Sequence, residues 1–167
     1  MTEIQQSLAL STESAWHDGH SDCVLTPAWV AGLMIEHFPI AGRILDPCRG
    51  EGVFHDRLPG ADWCEIQQGR DFFSQAGPYD WIVGNPPYSI YAKWLRHSME
   101  IAENSLYLIP LSRILASDSM IKHVWRWGGI CEIMFLGKGG DLGFPIDFAV
   151  GAVHYQRGYA GPITMTV

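Results

Sequence analysis

Short apolar runs bounded by turn residues recur along the chain and predict strands. They cover residues 43–46, 62–65, 79–84, 105–109, 130–136 and 147–155. Each has the length of a strand in a globular protein. Residues 1–23, in contrast, are polar and show no period, which indicates an N-terminal segment outside the core.

Helical periodicity fills most of the intervals between these runs. Thr26 and Pro27 predict a helix that runs to Phe38, because threonine is a favoured N-cap and proline suits the first helical position. Further helical segments are predicted at 53–58, 88–102 and 111–127, the second with an apolar face of Ala92, Leu95, Met99 and Ala102. Strands alternating with helices predict a mostly parallel α/β sheet covered on both faces. The last two strands, joined by the glycine-rich loop 137–143, predict an antiparallel edge.

The size and composition of the chain favour one ordinary globular domain. It has 167 residues, of which 47% are hydrophobic and 17% charged. No apolar stretch approaches the roughly 20 residues of a membrane span, and the first residues lack a basic region followed by an apolar one. We therefore expect a soluble, cytoplasmic protein consisting of a single domain over residues 1–167.

The cysteines give no sign of a disulfide framework or a zinc knuckle. Cys23, Cys48, Cys64 and Cys131 are scattered without a CxxC pair. His17, His20 and Cys23 have a spacing that offers three metal ligands, whereas structural zinc usually takes four. We expect a polar loop there and no metal.

The acidic balance of the chain is unusual for a protein that contacts nucleic-acid phosphates. The formal net charge is −7, with 11 lysines and arginines. Extensive phosphate contact is then expected only if the cations cluster. Lys93, Arg113 and Lys138 follow predicted strand ends or lie in loops, and are candidate substrate contacts.

The segment Asn85-Pro86-Pro87-Tyr88, called the NPPY turn below, directly follows the predicted strand 79–84. Two consecutive prolines fix the backbone and bring no competing N–H donor. The side-chain oxygen of Asn85 and the carbonyl of Pro86 can then lie side by side as acceptors, with the ring of Tyr88 stacked on a flat substrate. This pattern predicts a receptor for a planar molecule with an exocyclic NH₂ group, such as adenine or cytosine.

A second candidate site element is the glycine loop, residues 46–52, which follows the predicted strand 43–46 and precedes a helical turn. Its glycines allow close approach of a ligand to the backbone. Glu65 ends the next strand 19 positions after Asp46, near the offset at which an acid reaches ribose hydroxyls in nucleotide-binding α/β folds. Asp71 and Phe72 add a carboxylate and a ring where an adenine could be held. These features predict a nucleoside-type cofactor.

Taken in order, these motifs resemble the S-adenosylmethionine-dependent amino-methyltransferases of DNA. The resemblance runs over residues 24–155, from a Thr-Pro helix through an Asp-Pro-x-x-Gly-x-Gly loop to Asn-Pro-Pro-Tyr. It implies a Rossmann-like class I methyltransferase fold, a seven-stranded, mostly parallel sheet whose last strand is antiparallel. Asparagine at the first position of the NPPY turn is more similar to the enzymes that act on adenine N6 than to those that act on cytosine N4.

The resemblance also implies roles for individual residues. Thr26 would touch the methionine carboxylate of S-adenosylmethionine, and Glu65 would bind its ribose. The complete set of cofactor contacts would be Thr26, Asp46, Pro47, Gly50, Gly52, Glu65, Ile66, Asp71, Phe72 and Asn85. The catalytic set that holds the target base would be Asn85, Pro86, Pro87 and Tyr88.

The expected activity is therefore methylation of adenine N6 in duplex or single-stranded DNA. Methylation of RNA adenine or of protein glutamine is an alternative, since both present a planar NH₂ group. A non-catalytic binding module is another. We expect no separate target-recognition domain, so selectivity is expected from loops at 12–23, 88–93 and 137–146 or from a partner. That partner would be a second copy of the chain or a specificity protein.

Overall fold

One seven-stranded sheet organises residues 24–167, the part of the chain that the computed structural model describes. The polar loop expected at His17, His20 and Cys23 lies outside these residues. The strands are β1 (Ile44–Asp46), β2 (Asp62–Trp63), β3 (Tyr79–Gly84), β4 (Ala102–Pro110), β5 (Gly128–Lys138), β6 (Ala149–Arg157) and β7 (Thr164–Thr166). Their order across the sheet is β2-β1-β3-β4-β6-β5-β7.

Within residues 24–167, three α-helices cover this sheet: α1 (Ala28–His37), α2 (Tyr91–Ile101) and α3 (Asp118–Trp127). Short 3₁₀ turns connect the elements, at His55–Arg57, Ile66–Gln68, Phe72–Ser74, Tyr88–Ile90, Leu111–Arg113 and Gly140–Leu142. Among the described residues, no helix is long and apolar enough to cross a membrane.

The strand directions confirm the predicted fold class. Strands β2, β1, β3 and β4 are parallel neighbours, and β6 runs antiparallel between β4 and β5. The antiparallel strand predicted at 147–155 is therefore β6. The chain then adds β7, which pairs in parallel with β5 at the sheet edge and was not predicted.

Alternate residues of β4 show how the sheet forms two cores. Leu106 and Leu108 face the core that also contains Val30 and Met34 of α1. Tyr107 and Ile109 face the opposite core, which also contains residues of α2 and α3. This alternation follows from the two-residue period of a strand, and it explains why residues 106–109 of β4 form a continuous apolar run.

Three local predictions were wrong. Thr26 does not cap α1, since Pro27 occupies the N-cap position and no side chain caps the helix. The helix predicted at 111–127 begins only at Asp118, where the hydroxyl of Ser117 accepts a hydrogen bond from the Met120 N–H. Ala92 is exposed, because the buried face of α2 is shifted toward its aromatic residues.

A buried histidine lies on β6, where His154 is paired with Leu106 in the middle of β4. The His154 ring stacks on Trp81 with centroids 4.7 Å apart, and its Nε2–H donates to Asn104 Oδ1 at 2.9 Å. Burial lowers the pKa of His154 to about 4, although the negative charge of Glu132 opposes the shift. The folded protein therefore keeps this ring neutral under mildly acidic conditions.

We predict that acidification from pH 6.5 toward 4 lowers the free energy of unfolding through His154. Its pKa is depressed in the folded state, so the unfolded chain binds the extra proton in this window. The contribution reaches up to about 3 kcal/mol. Urea unfolding of the protein and of His154→Gln, which retains a donor for Asn104, should give a stability difference that changes across this window. A stability difference that stays constant between pH 6.5 and 4 would contradict the lowered pKa of His154.

Candidate active site

A cleft of about 740 Å³ opens where the carboxyl ends of β1, β2 and β3 meet. Its walls come from the start of α1, the glycine loop, the turns after β2 and the NPPY turn. This volume suits a small-molecule ligand. The predicted residues that line it are Thr26, Pro47, Gly50, Gly52, Glu65, Ile66, Asp71, Phe72, Asn85 and Pro87.

Asp46 is the first residue of the glycine loop, but its side chain points beneath the loop and does not line the cleft, contrary to the expectation that it contacts the cofactor. Its side chain is completely buried, and its carboxylate accepts hydrogen bonds from the N–H groups of Cys48 at 3.2 Å and His55 at 3.1 Å. Burial raises the pKa of Asp46 to about 6, and these two hydrogen bonds oppose the rise. Asp46 therefore shapes the loop from inside the fold.

The glycine loop and the turn after β2 are joined by Glu65. One carboxylate oxygen accepts from the Gly50 N–H at 2.8 Å, and the other accepts from the Gln67 N–H at 3.2 Å. Gly52 has a φ of +90°, and a Cβ there would lie 2.8 Å from the carboxylate oxygens of Asp56. The loop backbone thus requires glycine where it approaches the cleft.

The far end of the cleft is aromatic. Phe72 is buried and stacks on Trp94 of α2 with ring centroids 4.4 Å apart, yet both line the cleft. The Asp71 carboxylate accepts from the Phe73 N–H at 3.0 Å and fixes this turn. Ile66, which is 68% exposed, lines the cleft as well. This end offers apolar surface next to a carboxylate.

The side-chain amide of Asn85 is held on both sides. Its Nδ2 group donates to the Val24 carbonyl and to Thr26 Oγ1, both at 3.0 Å. Its Oδ1 atom accepts from the Tyr88 hydroxyl at 2.7 Å. Asn85 and Pro87 line the cleft, whereas Pro86 is buried.

Tyr88 differs from the predicted stacking platform. Its ring is 1% exposed and belongs to the core that contains α2, and its hydroxyl points to Asn85. In this conformation the ring is not open to a planar ligand. Tyr88 instead acts on the site through the hydrogen bond that it donates to Asn85.

The glycine loop and the NPPY turn are in direct contact. The Cys48 thiol donates to the Asn85 backbone carbonyl at 3.2 Å. Burial raises the pKa of Cys48 well above its usual value, so the thiol keeps the proton that it donates. Gly84 makes this contact possible, because a Cβ there would lie 3.1 Å from Pro47 Cδ and 3.4 Å from Cys48 Sγ.

The three predicted substrate cations do not line the cleft. The Lys93 ammonium lies 4.1 Å from the centroid of the Phe73 ring, and Lys138 lies 3.9 Å from the carboxylate of Asp147. Arg113 is partly buried in the 3₁₀ turn after β4.

Three other cations, which were not among the predicted substrate contacts, do line the cleft: Arg49, Arg57 and Arg70. The guanidinium carbons of Arg49 and Arg70 lie 5.3 and 4.0 Å from the centroid of the Trp63 ring. The sequence offered a signal for both of these arginines as cleft residues, because Arg49 lies inside the glycine loop and Arg70 directly precedes Asp71.

The donors and acceptors of the cleft fit a nucleoside-type cofactor. The Arg49 Nε is buried and donates to no described residue, which leaves a donor for an oxygen or nitrogen of a ligand. Glu65 accepts one hydrogen bond at each oxygen and keeps free lone pairs for hydroxyl groups. Within residues 24–167, no group of three or more His, Cys, Asp or Glu side chains is placed to hold a metal ion.

Comparison with solved structures defines the class of fold. One similar structure is a candidate class I S-adenosylmethionine-dependent methyltransferase from Listeria monocytogenes. The superposition covers 98% of this chain and 72% of that protein, with 13% identity and a TM-score of 0.63. The 23S rRNA methyltransferase ErmE matches 83% and 73%, with 15% identity and a TM-score of 0.61. A modification subunit of a candidate type I restriction enzyme from Vibrio vulnificus matches 96% of this chain but only 49% of its own, with 13% identity and a TM-score of 0.56.

The chain therefore has the Rossmann-like fold of class I methyltransferases, as predicted. No protein-family model matches the chain, and no curated protein matches its sequence.

We predict that Gly84→Ala destabilises the protein by about 1–3 kcal/mol, because the new methyl group would crowd Pro47 and Cys48. Gly32→Ala is the matched control. A Cβ at Gly32 in α1 meets nothing within 4 Å, so this change should stabilise by about 0.5–1 kcal/mol. Chemical denaturation measures the free energy of unfolding of both variants. Equal changes in the two variants would show that the glycine loop and the NPPY turn are not in tight contact at Gly84.

Proposed function

We propose that this chain is an S-adenosylmethionine-dependent methyltransferase that acts on the N6 amino group of adenine in DNA. The observation that carries the proposal is the position of the NPPY turn. Asn85 and Pro87 line the same cleft as the glycine loop, so a planar amine and a nucleoside-type cofactor would meet there.

The cofactor would lie along the glycine loop. Glu65 would accept hydrogen bonds from its ribose hydroxyls, while Ile66 and Phe72 would flank its adenine ring, beside the carboxylate of Asp71. Gly50 and Gly52 would allow the methionine part to approach the backbone. When bound, S-adenosylmethionine supplies an electrophilic methyl group.

The NPPY turn would prepare the target amine. The lone pair of an aromatic amino group is delocalised into the ring, which makes the nitrogen a poor nucleophile. Asn85 Oδ1 and the Pro86 carbonyl would accept both amine hydrogens and favour a nitrogen with a localised lone pair. Oδ1 retains a lone pair for this task besides the one that accepts from Tyr88. Catalysis would then come from positioning and preorganised dipoles, without a covalent intermediate.

A DNA target places two demands on this surface. The adenine has to leave the base stack to reach the cleft, or be presented in single-stranded DNA. Phosphates need cations, and Arg49, Arg57 and Arg70 line the cleft although the chain carries a net charge of −7. The likeness to a DNA-modification subunit supports a DNA substrate and a specificity partner. A homodimer and a cytoplasmic location stay predictions.

RNA adenine is the second candidate substrate. The likeness to the 23S rRNA methyltransferase ErmE is of similar strength to the likeness to the DNA-modification subunit. The same receptor would accept an RNA adenine, since the amine and its ring are identical. The choice of DNA rests on the resemblance of the ordered motifs to DNA amino-methyltransferases.

The test of this proposal is incubation with tritiated S-adenosylmethionine and, in parallel, unmethylated duplex DNA, single-stranded DNA, total RNA and cell protein. Labelled polymers are digested to nucleosides or amino acids. We expect the label as N6-methyladenine in DNA. Label in RNA or in glutamine would show that RNA or protein, and not DNA, is the substrate. No transfer despite measurable cofactor binding would reject the proposed reaction for the chain alone.

We predict that Asn85→Ala lowers kcat/KM of methyl transfer by about 100-fold or more, because a preorganised acceptor for the amine is lost. Asn104→Ala is the control, since Asn104 does not line the cleft and its side-chain oxygen accepts from His154. Circular dichroism verifies that both variants are folded. Unchanged transfer by the Asn85 variant would remove the NPPY turn from the mechanism.

We predict that Glu65→Ala weakens S-adenosylmethionine binding by about 10-fold or more, since hydrogen bonds to a carboxylate are lost. Glu103→Ala is the control, because Glu103 is exposed and pairs with Arg157 at 3.0 Å. Isothermal titration calorimetry measures both dissociation constants. Equal affinities for the two variants would exclude Glu65 as a cofactor contact.

A further inference from the structure

We propose that Thr26 is a positioning residue for the target-amine receptor, which rests on the function proposed above. In this assignment its hydroxyl and the Val24 carbonyl take up both amide hydrogens of Asn85. The amide oxygen is then the only polar atom of Asn85 that remains for the target. The polypeptide just before α1 thus belongs to the receptor, in addition to any contact that it makes with the cofactor.

The hydrogen-bond inventory of the Asn85 amide supports this assignment. An asparagine NH₂ group has two hydrogens, and two acceptors lie at 3.0 Å from Nδ2, the Val24 carbonyl and Thr26 Oγ1. The Oδ1 atom has two lone pairs, of which the Tyr88 hydroxyl uses one at 2.7 Å. One acceptor position therefore stays open at Oδ1, and no donor position stays open at Nδ2.

The Val24 carbonyl determines which way the amide faces. A carbonyl oxygen can only accept, so an amide turned by 180° would place Oδ1 against the Val24 oxygen and lose that hydrogen bond. It would also present Nδ2 hydrogens to the NH₂ group of the target, a contact of donor with donor. The Thr26 hydroxyl adds a second anchor point and restrains rotation of the amide plane.

Burial makes these hydrogen bonds consequential. Asn85 and Thr26 are only partly exposed, and both line the cleft that the ligands would fill. Once the cleft is occupied, water can no longer replace a missing partner of Nδ2, and an unpaired donor is costly. The arrangement therefore matters most in the complex with the target.

The hydrogen bonds themselves can be observed without any methyl transfer. Asparagine occurs in this sequence only at positions 85 and 104. Selective ¹⁵N-asparagine labelling therefore gives two side-chain NH₂ pairs in an NMR spectrum, and Asn104→Gln assigns them. In Thr26→Val, which keeps the shape but lacks the hydroxyl, we expect the Asn85 pair to shift and to exchange with solvent about 3-fold faster or more. The Asn104 pair should stay unchanged.

Kinetics then separate positioning from cofactor binding. We expect Thr26→Val to lower kcat by about 3- to 10-fold at saturating S-adenosylmethionine, a loss that weaker cofactor binding alone would not cause. Thr26→Ser restores the hydroxyl and should recover kcat to within about 2-fold of the unmodified protein. A purely structural role would not combine this loss of kcat and its rescue by serine with a shift of the Asn85 NH₂ pair.

Two results would overturn the assignment. One is an Asn85 NH₂ pair that is unaffected by Thr26→Val. The other is a loss of S-adenosylmethionine affinity with unchanged kcat, which would make Thr26 a cofactor contact alone. If the unmodified protein transfers no methyl group, the proposed function fails, but the NMR measurement still decides whether Thr26 orients Asn85.

Discussion

The whole site depends on the parallel pairing of β1 and β3. Leu45 lies opposite Ile82 in this pairing, so the segments that follow the two strands emerge at the same edge of the sheet. In open α/β sheets this edge is where ligands bind. Gly84 lets the two segments touch, because it has no side chain where Pro47 and Cys48 pack against it.

A continuous set of hydrogen bonds links the proposed cofactor side of the cleft to the proposed target side. Glu65 holds Gly50, Cys48 holds the backbone of Asn85, and Thr26 holds the side chain of Asn85. The groups that would meet the reactants are thus fixed before the reactants bind, which is the condition for electrostatic preorganisation. This arrangement of the glycine loop requires the carboxyl group of Asp46 to be completely buried, and burial of a carboxyl group costs free energy.

The sequence located the site elements because their signals are local. Strand β3 was predicted with its observed ends, since a strand buried on both faces is a continuous apolar run bounded by turn residues. The orientation of Tyr88 was not predictable in this way, because packing of its ring between α2 and the sheet decides it. The hydroxyl of Thr26 likewise has its partner 59 positions along the chain, at Asn85. Strand β7 was missed because it is only three residues long and mostly exposed.

We expect one cleft to hold both a nucleoside-type cofactor and a planar amine. A crystal structure with S-adenosylhomocysteine and an adenine-containing oligonucleotide would show whether it does. We expect the cofactor ribose on Glu65, and the adenine N6 atom about 3 Å from Asn85 Oδ1. An adenine bound away from the NPPY turn, or an Asn85 side chain that presents Nδ2 to the base, would contradict this expectation.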